Sequence, residues 1–306
     1  MKINILLPVF NDWQSLNFLL IDIHKKLKFE KIDIIVVDDC STVDHFIDQK
    51  FSGMNIKILR VNKNVGSQKA INIGLSYLQN NSVDKNYCVV MDSDGEDKAE
   101  DIKNLIDAGE KNKDKIVFAS RGKRQDGFIF YILYKIYLFL FFILTGKNID
   151  CGNFSCIPQI KIKEIVELEY SGIHHSASIL KSGLDYNKVL CDRGKRYKGK
   201  SQMSLGGLVS HGINSMAIFY ELIVKRFSVF FISVICFLFL IFFLSIFIKD
   251  QTINNVFNLI IDNSFFSIGS YFFSFFIFFL IYLRIIKSKF KSLNFDDIIV
   301  KKNKII

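Results

Sequence analysis

The sequence predicts a mostly parallel α/β domain, with helices on both faces of its sheet, joined to a pair of membrane-spanning helices. Three observations predict it. Apolar runs of strand length alternate with amphipathic helical stretches over the first 120 residues or so. Polar and acidic residues gather just after several of those runs. Two long uncharged segments occupy the last third of the chain. A length of 306 residues suffices for one domain of ordinary size plus a further unit.

Strand-like runs occur at 3–7 (INILL), 32–37 (IDIIVV), 56–60 (IKILR), 87–91 (YCVVM) and 115–119 (KIVFA). The opening MKINILLPVFND has too short an apolar run for a signal peptide and reads as the first strand. Between the runs, Trp13, Leu16, Leu19, Leu20, Ile23 and Leu27 recur on one helical face, and 66–80 and 98–111 carry similar stripes. In sheets of this kind ligands bind where the carboxyl ends of the strands open. The first, second and fourth runs end there in polar residues, at 8–12, 38–39 and 92–96.

The densest of these is YCVVMDSDGED at 87–97. Carboxylates so close repel one another unless a cation sits between them. A loop of this composition can hold Mg2+ or Mn2+ through Asp92, Asp94 and Glu96. The plainer alternative is a solvated loop in which Asp97 and Glu100 begin the next helix.

Segment 227–248 is uncharged over 22 residues and 265–283 over 19, and each can cross a hydrocarbon core of roughly 30 Å. Lys225 and Arg226 precede the first; Arg284, Lys287, Lys289 and Lys291 follow the second. This asymmetry predicts that both termini face the cytoplasm. Segment 128–144 is apolar but interrupted by Lys135 and three Tyr, and reads as an interfacial helix, with a third span as the alternative. The expected organisation is a cytoplasmic domain over 1–204, a juxtamembrane amphipathic helix over 205–226, a transmembrane hairpin over 227–286 and a basic tail over 287–306. The six Cys form no CxxC pair and have no His at ligand spacing, which suits buried thiols in a reducing compartment. A net charge of +10 suits nucleic acid, an anionic membrane surface or phosphorylated ligands.

The motifs LPVFND at 7–12, VVDDCSTVD at 36–44, NVGSQKAINIGL at 64–75 and MDSDGED at 91–97 together resemble family 2 glycosyltransferases of the GT-A fold. CDRGKRYKGKSQMS at 191–204, followed by an amphipathic helix and two spans, resembles the polyprenyl-phosphate glycosyltransferases, of the dolichyl-phosphate mannosyl and undecaprenyl-phosphate glucosyl and aminoarabinosyl types. The resemblance implies a nucleotide-sugar donor, with Pro8, Phe10 and Asp12 around base and ribose and Asp39 on the base. Gly66 to Ala70, Lys69 included, would lie near ribose and diphosphate. Asp92 and Asp94 would serve metal and diphosphate, with Glu96 where many relatives carry Gln. Arg121, Arg193 and Arg196 match phosphate-binding arginines; with Asp94 they are the expected catalytic set. Asp38 reads as a strand-end carboxylate satisfied by backbone amides. Ser201 stands where relatives often have Ser or Thr.

The only Trp is Trp13, so the QxxRW acceptor motif of many polysaccharide-making relatives does not exist here. A sugar hydroxyl needs a general base. A phosphate monoester, with a second pKa of about 6, needs cations and positioning instead. Residues 193–200, RGKRYKGK, offer five Lys or Arg in eight positions. Arg121, Lys123, Arg124 and Lys135 add to them, although Lys195, Lys198 and Lys200 equally suit attraction to anionic lipid. Two departures from the family pattern stand out. At 152–158 the chain reads GNFSCIP, where relatives show a G-D-F-R-like motif, so that Asn153 orients a group, Asp150 substitutes as base, or no base is needed. At 170–178, YSGIHHSAS, His174 and His175 either touch sugar or phosphate or form a structural pair.

The expectation is an inverting, metal-dependent transferase at the inner membrane. It would move a sugar from a nucleotide diphosphate to polyprenyl phosphate on the cytoplasmic face, for cell-envelope glycan modification. Relatives suggest a homo-oligomer through the membrane helices, and no nucleic acid partner is expected. The rivals are a transferase to a hydroxyl of a lipid-linked glycan, with Asp150 as base, and an inactive scaffold.

Overall fold

A computed structural model describes residues 2–27, 31–43, 47, 51–81, 86–112, 114–121, 128–199, 204–248, 255, 263–291 and 299–305. The chain opens with β1 (Lys2–Val9), α1 (Trp13–Lys26), β2 (Lys31–Asp38), β3 (Met54–Val61), α2 (Ser67–Asn81), β4 (Tyr87–Val90), α3 (Asp101–Lys111) and β5 (Ile116–Arg121). The strands expected from the apolar runs are all present. After α4 (Phe128–Thr145) come β6 (Cys151–Pro158), α5 (Gln159–Val166), α6 (His175–Ser182) and β7 (Tyr186–Cys191). Helices α7 (Leu205–Ile218), α8 (Tyr220–Ile248) and α9 (Asn263–Lys291), then β8 (Ile299–Ile305), complete it.

The strands form one mixed sheet in the order β7-β5-β6-β4-β1-β2-β3-β8. Strands β4, β1, β2 and β3 are parallel neighbours, so their carboxyl ends share one edge. Strand β6 runs antiparallel to both β4 and β5. Its first residues therefore lie at the edge where β4 ends. One face of the sheet buries Trp13, Leu16, Leu20 and Ile23 of α1 with Ile102, Leu105 and Ile106 of α3. The other buries Ala70, Ile71, Leu75 and Leu78 of α2 with Ile162 and Ile165 of α5. Both faces are thus covered, as a parallel sheet requires.

A third apolar cluster stands apart from the sheet. Phe141 of α4, Met216 and Ile218 of α7, Ile223 of α8 and Leu280 and Leu283 of α9 pack with Tyr170 and Ile173. Tyr137 of α4 bonds Ser215 of α7 at 2.8 Å. The other face of α4 leaves Tyr131, Ile132, Leu133, Ile136, Phe139 and Leu140 exposed. Such a one-sided apolar helix suits a membrane boundary. A helix break at Phe219 separates α7 from α8, so the apolar helix that holds 227–248 begins at Tyr220. Within α8 and α9, Tyr220–Ile241 and Gly269–Ser288 are long and apolar enough to cross a membrane, and almost none of either stretch is buried. A soluble core helix would be mostly buried instead.

The hairpin is tied to the sheet domain through α6. Lys181 donates to the Ile218 carbonyl at 2.6 Å and to Glu221 at 3.1 Å. Lys287 of α9 pairs with the same Glu221. Both ammonium groups lie over the Tyr170 ring, at 4.5 and 5.1 Å from its centroid.

Candidate active site

The acidic loop follows β4 directly. Its shape is held by its own acids: the Asp92 N–H donates to Asp97 Oδ2 at 2.9 Å, and the Glu96 N–H to Asp94 Oδ1 at 2.9 Å. Asp97 thus bonds back into the loop, and α3 begins only at Asp101. Ser93 Oγ donates to the Pro8 carbonyl at 3.1 Å, which joins the loop to the end of β1.

The cations that sit among these acids come from this chain. Residues 192–197, just past β7, lie across the loop as a strap. Arg196 donates to Asp94 Oδ2 at 2.6 Å and to Asp12 Oδ2 at 2.8 Å. Arg193 pairs with Glu96. Two backbone bonds fasten the strap, from Gly194 N–H to the Glu96 carbonyl at 2.8 Å and from Tyr197 N–H to the Asp94 carbonyl at 2.9 Å. Tyr197 also donates its hydroxyl to Asp22 of α1 at 2.7 Å. Asp12 precedes α1 but makes no side-chain cap bond, because its carboxylate serves Arg196. Lys195 and Lys198 are not buried in the strap. Lys123, Arg124, Lys200 and Ser201 lie outside the described residues, and so does the Arg121 side chain. The Arg121 backbone ends β5 in register with Cys191, at the root of the strap.

At the ends of β1 and β2, Phe10 is 39% exposed, an open ring at the rim. Asp39 is buried, and both its oxygens are engaged: Oδ1 by the Val65 N–H at 2.7 Å and Oδ2 by the Gly66 N–H at 2.8 Å. It orders the loop that leads into α2. Lys69 is half-buried beside it, and burial together with Lys63 holds its ammonium below the ordinary lysine range. Asp38 is fully buried, accepting from the Ser41 N–H at 2.9 Å with Arg60 Nε 3.5 Å away, as a structural strand-end acid would.

Of the two departures, Asn153 belongs to the site. Val90 pairs with Ser155, and the antiparallel register continues to set Asp92 opposite Asn153, whose Nδ2 donates to Asp92 Oδ1 at 3.3 Å. Asp150 instead pairs with Lys188 at 2.6 Å. His174 and His175 are buried. His174 accepts the Ala177 N–H at the start of α6 and stacks on His211 at 4.3 Å. His175 Nε2 lies 3.3 Å from Ser155 Oγ. Burial lowers the His175 imidazole to about 4, so the ring is neutral near pH 7. Both rings contact groups of this chain, as a structural pair would.

The sign of that shift makes a prediction. A folded-state value below the unfolded one of 6.5 means that the unfolded chain binds the extra proton between pH 6.5 and about 4. Stability is present above pH 6.5 and is lost as pH falls towards 4, by about 3 kcal/mol from this group. His174, lowered by burial and then by His211 and His175, acts in the same direction. Melting curves of His175→Gln across this range should show a shallower acid slope than the parent chain. An unchanged slope would remove His175 from the account.

The sequence from residue 4 to 165 matches the profile of Glycosyl transferase family 2, over half of the chain. The chain belongs to that family. An uncharacterized glycosyltransferase of Synechocystis sp. is 26% identical over 232 residues, covering 73% of this chain and 71% of its own. The undecaprenyl-phosphate 4-deoxy-4-formamido-L-arabinose transferase of Yersinia enterocolitica is 27% identical over 173 residues, 54% of this chain. The chain spans about half the length of that relative, 50%. Among solved structures, a mycobacterial protein matches with a TM-score of 0.50 and 16% identity, over 72% of this chain and 74% of its own, a likeness of fold alone.

As a family 2 glycosyltransferase, the protein is an enzyme of glycosyl transfer, and it carries two exposed helices long and apolar enough to cross a membrane. Its acidic site can be tested for fit to a divalent cation. Asp92 and Asp94 offer hard carboxylate oxygens of the kind Mg2+ and Mn2+ take. Burial, then the neighbouring Asp92, raise the Asp94 carboxyl to about 6 against the pull of Arg196 and Arg193. A cation shared by the two acids would relieve that cost, so they fit. Glu96 is turned to Arg193. Among the described residues no three His, Cys, Asp or Glu side chains converge as a ligand set. Donor phosphates and water would have to complete the shell.

Proposed function

We propose that the protein transfers a sugar from a nucleotide-diphosphate donor to the phosphate of a polyprenyl lipid, with inversion, on the cytoplasmic face of the membrane. One observation carries this reading. The acidic loop at the sheet's carboxyl edge is faced by two arginines on a strap that leads, through α7, into the apolar hairpin. A donor's phosphates and a lipid's phosphate can therefore be brought to one place. The name of the Yersinia relative, an undecaprenyl-phosphate sugar transferase, supports the acceptor class.

Asp92 and Asp94 would hold Mg2+ or Mn2+, which when bound supplies positive charge to the leaving diphosphate. Phe10 offers an apolar face to the base, and Lys69 and the Gly66 loop lie where the ribose and diphosphate would run. Arg196 and Arg193 exchange their carboxylate partners for phosphate oxygens and hold the acceptor in line. An acceptor that arrives ionised needs no base, which agrees with Asn153 at the site and with Asp150 being paired to Lys188. Lys225 and Arg226 near the start of the first apolar helix, with Arg284 and Lys287 near the end of the second, support cytoplasmic termini. The hairpin is also where a homo-oligomer would form.

The test is a panel of nucleotide sugars offered to the purified full chain with Mn2+ and undecaprenyl phosphate, with mass detection of the lipid product. A lipid monophosphate sugar from one donor is the expected result. Transfer only to the hydroxyl of a lipid-linked saccharide would overturn the acceptor assignment, and no turnover of any donor would leave an inactive scaffold.

A further inference from the structure

Asp92 does not stand alone behind the acidic loop. A line of polar groups runs from it into the buried side of the sheet, and each direction of donation along that line can be worked out from one fixed end. The fixed end is the backbone N–H of His175, the first residue of α6, which can only donate. It donates to Gln68 Oε1 at 2.6 Å. The carboxamide of Gln68 is then oriented, and its Nε2 donates to Asn153 Oδ1 at 3.0 Å. That in turn orients Asn153, whose Nδ2 faces Asp92 Oδ1 at 3.3 Å. Ser155 Oγ donates to the Asn153 carbonyl at 2.9 Å and steadies the strand beneath. Gln68 is buried at 8% exposure, so water does not compete freely for its amide.

We propose that Gln68 is a positioning residue for the acidic site: clamped by the His175 N–H, it dictates the direction of the Asn153 carboxamide and so presents an N–H donor to Asp92. The arrangement suits amides because a carboxamide, always neutral, accepts at one end and donates at the other. It holds Asp92 from behind and leaves its second oxygen for a cation. Partners at one remove from a ligand commonly change metal affinity by about 10–100-fold. The inference rests on the reading of Asp92 as a metal ligand.

Gln68→Glu is the decisive variant. The introduced carboxylate still accepts from the His175 N–H, but its other oxygen cannot donate. Asn153 must then turn its NH2 towards that carboxylate and its oxygen towards Asp92. Gln68→Met removes both bonds without reversing anything, and Asn153 stays free to donate to Asp92. Mn2+ affinity of the full chain in detergent, read from the electron paramagnetic resonance signal of unbound Mn2+, is expected to fall about 10–100-fold in Gln68→Glu, where the Asn153 donor is reversed, and by a clearly smaller factor in Gln68→Met, where it is only released. Melting temperatures should fall in both variants, because both disturb the same buried bonds.

Equal Mn2+ affinity in Gln68→Glu and the parent chain would overturn the inference, as would equal losses in the two variants, the mark of mere packing. If Gln68→Glu does not fold, Asn153→Leu removes the same donor from Asp92 and carries the same expected loss. The controls are Asp92→Asn and Asp94→Asn. If the parent chain binds Mn2+ no better than they do, the metal reading itself fails and takes the inference with it. If the parent binds well and only the Gln68 pattern is missing, the positioning role alone is lost.

Discussion

Asp94→Asn is expected to lower sugar transfer by roughly a thousandfold or more while leaving the protein folded and in the membrane. Asp94 is the acid with most of its environment arranged against it. It is buried, Asp92 is its neighbour, and its carboxyl is raised to about 6. A residue retained at that cost is a candidate for function. The asparagine has no charge to desolvate, but its one oxygen can serve Arg196 or the Glu96 N–H and not both, so a modest fall in thermal stability is expected without loss of the fold. Measuring turnover and melting on the same preparation separates the two effects. Turnover near that of the parent would refute the assignment of Asp94 to metal and diphosphate.

Gly194→Ala carries the second large effect, by a steric route. A Cβ at Gly194 would lie 2.5 Å from the Gly95 carbonyl oxygen, a backbone atom that cannot swing aside. The strap must then lift, and the bond from Gly194 N–H to the Glu96 carbonyl goes with it. Arg193 and Arg196 lose their register over the acids. A displacement of about 1 Å at a positioning group can cost about a hundredfold in kcat/KM, and that loss is expected here, chiefly as a raised KM for the lipid phosphate. Mn2+ affinity should not fall, because no ligand is touched and two competing cations are withdrawn. Parallel loss of Mn2+ affinity would mean that the strap supports the loop rather than the acceptor.

The parts of this molecule that are legible in its sequence are those whose signal is local. Strands β1 to β5 announce themselves as uninterrupted apolar runs, and α1 to α3 as stripes at helical spacing. The acids after β4 are visible because a buried run ends in them abruptly. Strands β6 and β7 are not, since GNFSC and YNKVLC mix polar and apolar residues without a clean period. The pairing of Asp92 with Asn153 depends on β6 running backwards beside β4, which no stretch of sequence declares. The counter-cation for Asp94 likewise sits 102 residues away. Asp39 is recognisable by its motif, but not its engagement by Val65 and Gly66, because backbone donors leave no trace in composition. Gln68 carries no signal within its motif; its role emerges only when α2, β6 and α6 are seen together.

Helix α6 joins two features of the molecule. Its last turn carries Lys181, bound to Ile218 and Glu221 at the foot of the hairpin. Its first residue carries the N–H that clamps Gln68. Eight residues of helix make a strut of about 12 Å. Its far end stands beside Tyr170, Glu221 and Lys287 at the foot of the two apolar helices, and its near end stands two amides from Asp92. A hydrogen-bonded path thus runs from Glu221, at the start of α8, through one short helix and two amides to Asp92.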